Sequence, residues 1–120
     1  MSHIVTIQTK LRDPTAIAAA CARLGLPEPV VGTAVLFSEQ VNGLLVRLPD
    51  WLYPAVVDLA TGEIKFDNYN GAWGNRGHLD HFLQIYAVER AKLEARKQGC
   101  QVSEQALADG SIRVKIVEAQ

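Results

Sequence analysis

No apolar run in this chain approaches the roughly 20 residues that a membrane span requires. The opening Met1-Ser2-His3-Ile4-Val5-Thr6 has neither the basic stretch nor the apolar core of a signal peptide, so the cytoplasm is the expected compartment. Cysteine is scarce. Cys21 and Cys100 stand far apart and form no disulfide framework. An excess of one charge is missing too. Twelve Lys and Arg against thirteen Asp and Glu leave a formal net charge of −1. That removes the basic footprint on which nucleic-acid binding depends. The densest basic stretch, Arg90 to Lys97, is interleaved with Glu94 and preceded by Glu89, the pattern of a solvated helix face. Gly-x-Ser-x-Gly, P-loop and dinucleotide motifs are all absent.

What is present suits one globular domain. The 120 residues are 48% hydrophobic and 21% charged, ordinary values for a single domain spanning 1–120. Residues His3 to Lys10 alternate with period two and predict a half-buried strand. Asp13 is an N-cap residue type, and Pro14 suits the first helical position. Ile17, Ala20, Cys21 and Leu24 then recur as one apolar stripe before Gly25 and Pro27 end the helix. Cys21 on that stripe reads as a small buried hydrophobe.

Two hairpins are expected next. Ala34 to Glu39 and Leu44 to Leu48 flank Asn42-Gly43, a dipeptide that tolerates positive φ. Pro54 to Leu59 and Glu63 to Asp67 flank Ala60-Thr61-Gly62, with Gly62 supplying the left-handed residue. Residues 68–77, with three Gly and three Asn, predict a loop. A second helix is expected from about His78 to Gln98, its stripe of Leu79, Phe82, Leu83, Tyr86 and Leu93 interrupted by Arg90. A last hairpin, Gln101 to Ala106 with Ser111 to Val117, turns at Asp109-Gly110, with Ile112, Val114 and Ile116 expected inward. The order β-α-β-β-β-β-α-β-β predicts an α+β fold, a two-layer sandwich with both helices on one face of a mostly antiparallel sheet.

Several of these features coincide with a known family. They are Met1-Ser2-His3, Thr6-Ile7-Gln8-Thr9 and Asp13; Gln84-Ile85-Tyr86-Ala87 and Lys97-Gln98-Gly99; and Asp109-Gly110-Ser111-Ile112-Arg113. In them the chain resembles the uncharacterised cyanobacterial and plastid proteins grouped as domain of unknown function 1257. The middle hairpins match least. The resemblance implies no reaction and no cofactor. Members of that family often sit beside an AAA-type ATPase gene, which points to an ATPase as partner.

Chemistry-bearing residues are few. His78 and His81 stand three apart at a helix start and, with Asp80 or Asp67, could ligate a metal. The same spacing equally describes two solvent-facing histidines. His78 could also act as a general base oriented by Asp67, but no matching nucleophile is apparent. Gly71 to Gly77 precedes a helix, as anion-binding loops do, with Arg76 adding charge.

The aromatic residues carry more information. Trp51, Tyr53, Tyr69 and Trp73 lie in segments rich in Pro, Gly and Asn. Large aromatics in loops either cover a core edge or contact a partner. The sheet face away from the helices is not cleanly polar either, with Val35, Phe37, Leu45 and Val56 expected there. The reading is a non-enzymatic module that binds a protein partner or itself. Phe37, Leu45, Trp51, Tyr53, Val56, Tyr69 and Trp73 form the candidate surface. The alternative is a small enzyme or metal protein built on His78, His81 and Asp67.

Overall fold

The first helix forms where its cap predicts. In the computed structural model, which describes residues 5–37 and 39–118, α1 spans Pro14–Arg23. The Asp13 carboxylate accepts the Thr15 and Ala16 N–H groups at 3.0 and 3.2 Å, satisfying two orphan donors of the first turn. Gly25 turns the chain out with φ of +70°. Before the helix comes β1, Val5–Gln8, shorter than predicted; the earlier part of the expected strand, with the Met1-Ser2-His3 motif, lies outside the described residues.

Four more strands complete a five-stranded antiparallel sheet: β2 (Val30–Val35), β3 (Gln40–Val46), β4 (Ala55–Asp58) and β5 (Glu63–Phe66), in the order β1-β5-β4-β3-β2. The β4–β5 turn is the expected one. Gly62 has φ of +81°, and its N–H donates to the Asp58 carbonyl at 2.7 Å. The Thr9 hydroxyl donates to the Gly62 carbonyl, tying this turn to the end of β1.

The first hairpin differs from expectation. Asn42-Gly43 is not a turn but the middle of β3, paired with Thr33 and Gly32 of β2. The β2–β3 connection instead follows Leu36, whose N–H donates to the Glu39 carbonyl at 2.9 Å. Close packing explains the glycine. A Cβ at position 43 would stand 2.5 Å from the Val57 carbonyl oxygen and 2.9 Å from Val56 Cγ1, so the neighbouring strand leaves no room for a side chain. The shifted hairpin also moves Val35 to the other side of the sheet. With Val31↔Leu44 in register, Val31, Thr33 and Val35 lie on the helix side but beyond the helices.

A short 3₁₀ turn, Tyr69–Gly71, interrupts the expected loop, and α2 runs from Arg76 to Lys97, starting two residues earlier than predicted. Asn75 caps it by accepting the Gly77 N–H at 2.8 Å. Both helices pack on one face. Ile17, Ala20 and Cys21 of α1 and Leu79, Phe82 and Ile85 of α2 close over Leu44, Val46, Val57, Ile64 and Phe66 in one buried cluster. Burial pushes the Cys21 thiol up to about 11, which leaves it protonated and inert. The Arg90 that interrupts the α2 stripe reaches toward the Asp13 carboxylate, 3.9 Å away at the start of α1.

The last hairpin, β6 (Gln101–Ala106) and β7 (Ile112–Val117), turns at Gly110 with φ of +89°. It forms its own two-stranded sheet against α2 rather than joining the main one. None of its strand residues is fully buried, and Ile116, expected inward, is half exposed because a two-stranded sheet outside the main one has little to pack against.

Candidate functional site

The predicted interaction residues fall into three groups. Leu45 and Val56 are neighbours across β3 and β4 on the face away from the helices. With Ala34 and Leu36 they make a second, smaller buried cluster, against which Val41 and Tyr53 pack. This apolar layer is the floor of the candidate surface.

Four rings meet at its edge. Trp73 is the hub: its ring centroid lies 4.7 Å from Tyr69 in a stacked arrangement, 5.2 Å from Phe37 and 5.7 Å from Tyr53 edge-on. These separations are those at which aromatic pairs attract. Tyr53 belongs to both the floor and the ring cluster. Phe37 and Tyr69 remain 59% and 44% exposed, so the cluster opens to solvent instead of closing over a core. The three contributing segments are the end of β2 with Phe37, the 49–54 loop and the 68–77 loop.

The loops are held by specific backbone bonds. The Leu52 N–H donates to the Trp73 carbonyl at 2.9 Å, joining two of them. Asn68, buried in the third, donates through its amide to the Gly74 carbonyl at 3.2 Å and through its own carbonyl accepts Gly71 and Trp73 N–H groups. Asp67 is fully buried and accepts the Tyr69 N–H on Oδ1 at 3.2 Å. Tyr69 itself sits at φ of +46°, a left-handed conformation uncommon for a bulky side chain. The surrounding bonds therefore hold a strained backbone that displays this ring beside Trp73.

Trp51 stands apart from the cluster. Its ring packs edge-on against core Phe66 at 5.5 Å, and its indole N–H donates to the Asn75 carbonyl at 3.0 Å. A Cβ on Gly74 would fall 2.5 Å from the indole, so that glycine is what lets the loop lie flat on the ring. Trp51 covers the core edge and fastens the start of α2.

The other candidates are more dispersed. His81 is exposed, His78 half-buried, and among the described residues no group of three or more His, Cys, Asp or Glu side chains is placed to hold a metal ion. Asp67 Oδ2 is buried without a hydrogen-bond partner among the described residues. The anion reading of 71–77 loses its donors: Gly77 N–H goes to the Asn75 side chain, His78 N–H to the Asn75 carbonyl, and Arg76 pairs with Asp80 at 3.1 Å.

Sequence reasoning missed two features. Exposed Leu52 extends the apolar surface beside Trp73, and nothing in its local pattern distinguishes it. The second is an ion-pair network. Arg23 of α1 grips Glu104 of β6 through two bonds of 2.8 and 3.0 Å and reaches Glu89 of α2 at 3.2 Å. Lys92 bonds Glu104 at 2.7 Å and Glu89 at 3.1 Å. The Arg23 and Lys92 hydrogen bonds lower the Glu104 carboxyl to about 2. Comparison of the chain with protein-family models, curated proteins and solved structures finds no match.

Proposed function

We propose that this chain is a non-enzymatic protein-interaction module, an adaptor that docks a partner protein on the surface formed by Phe37, Tyr53, Tyr69 and Trp73 over the Leu45–Val56 floor. The observation that carries this reading is the four-ring cluster, assembled from three separate segments and left open to solvent. Trp and Tyr are the usual anchors of interfaces, because they bring large contact area with few rotatable bonds. A backbone strained to display one of the rings adds to the argument. The resemblance noted above suggests an AAA-type ATPase as the partner. The net charge gives no support to a nucleic-acid partner, and among the described residues no helix is long and apolar enough to cross a membrane.

The test is purification of the full chain from its host, with bound proteins identified by mass spectrometry. The wild type retains an ATPase, and Trp73→Ala and Phe37→Asp lose it while melting as cooperatively as the wild type. Retention of the same partner by both variants overturns the reading.

A second reading, a small enzyme or metal protein, draws on the buried Asp67 Oδ2, which has no hydrogen-bond partner among the described residues, and on His78 and His81 of α2. Stoichiometric metal in the purified chain, lost on His78→Ala, would favour it.

A further inference from the structure

The main sheet ends on one side at β2, Val30-Val31-Gly32-Thr33-Ala34-Val35. We infer that this edge pairs with β2 of a second copy of the chain, antiparallel about a two-fold axis at Thr33, to join two five-stranded sheets into one.

The direction of the backbone groups follows from the β2–β3 register. The Leu36–Glu39 bond continues that register one step beyond Val35↔Gln40. In an antiparallel ladder every second residue pair exchanges hydrogen bonds. Ala34/Val41, Gly32/Gly43 and Val30/Leu45 are therefore the bonded pairs, and Val31, Thr33 and Val35 turn their N–H and C=O groups outward. Placing the two-fold at Thr33 sets Val31 opposite the second copy's Val35 and Thr33 opposite its own copy. All the outward-facing groups then meet their counterparts. An isologous seam needs this self-complementarity.

The side chains agree with the backbone. Val31 is 80% and Val35 65% exposed, and in this register they cover each other on one face. On the opposite face Gly32 lies across from Ala34, small against small, and Val30, itself 55% exposed, lies across from Leu36. β-Branched pairs across strands are favourable.

The usual protections of an edge strand are missing from β2. It carries no charge, no internal proline and no bulge in its six-residue pairing with β3. The free hairpin shows the contrast, carrying Glu104, Arg113 and Lys115. The seam adjoins the aromatic surface, because Ala34 and Leu36 also belong to its floor, but it is made by the outward backbone groups of β2 and uses none of the four rings.

Sedimentation equilibrium of the full chain over a concentration series tests the seam. The wild-type mass should rise from 13.1 kDa toward twice that value. Val31→Lys buries a charge against the second copy's Val35. Thr33→Pro removes an outward donor that the β2–β3 ladder does not use. Each change acts twice at a two-fold seam, so each should weaken dimerisation by about tenfold or more. Val31 is so exposed that its lysine variant should melt as the wild type does at dilutions where both are monomeric. A wild type that stays monomeric, or a dimer that survives either substitution, overturns the inference. A dimer lost only in Trp73→Ala would instead place self-association on the aromatic surface.

Discussion

Tyr86 shows how much one side chain can organise here. Its hydroxyl donates to the Lys10 carbonyl at 3.0 Å and accepts the Asp13 N–H at 3.4 Å, pinning the β1–α1 connection to α2. Tyr86→Phe keeps the ring in the core, takes the acceptor from the Asp13 N–H and leaves the Lys10 carbonyl with the Arg12 N–H at 2.8 Å. We expect a loss of about 1–2 kcal/mol of stability, read from the urea midpoint at unchanged m-value. At this scale the sequence was legible where a residue acts locally. Asp13 caps α1 and Gly62 closes its turn through neighbours a few positions away. Gly43 was misread because its role depends on Val57, a residue brought alongside only by the folded sheet. Trp51 and Trp73 have similar local surroundings, yet one seals the core and the other opens to solvent. Composition cannot separate them.

Among the elements, the helices and last two hairpins were readable because periodicity and turn residues specify them locally. How the final hairpin sits was not, because its attachment relies on charges from three elements. Arg23, Glu89, Lys92 and Glu104 tie β6 to both helices, while the hairpin has no fully buried strand residue of its own. The Glu104 carboxyl falls from its usual 4.5 to about 2 in the folded chain. A lowered folded-state pKa contributes stability above the ordinary value and loses it as pH falls toward the folded one. The docking of β6–β7 should therefore weaken between about pH 4.5 and 2. Amide exchange in these two strands should rise there relative to their intrinsic rates, ahead of the five-stranded sheet. Glu104→Gln should show the same selective rise at neutral pH. Equal protection of the hairpin in that variant would mean that the packing of Ile112 and the Gln84 bond to the Gly110 carbonyl at 2.9 Å hold it without the ion pairs.

The whole molecule is longer than its chain length suggests. Its radius of gyration is 15.4 Å, against about 14 Å for a compact domain of this size. The extents of 56 × 32 × 23 Å reflect a layered body extended by a hairpin of its own. The two tryptophans sit in different parts of this body, and that has a practical consequence. Trp51 lies against Phe66 and reports on whether the core is intact, whereas Trp73 stacks on Tyr69 at a partly open surface. Replacing either one by Phe leaves a single emitter. With Trp51 alone, fluorescence should follow unfolding and ignore a bound protein. With Trp73 alone, it should shift on binding before any unfolding occurs. The chain thus carries two built-in optical gauges, one for folding and one for the surface proposed to dock a partner.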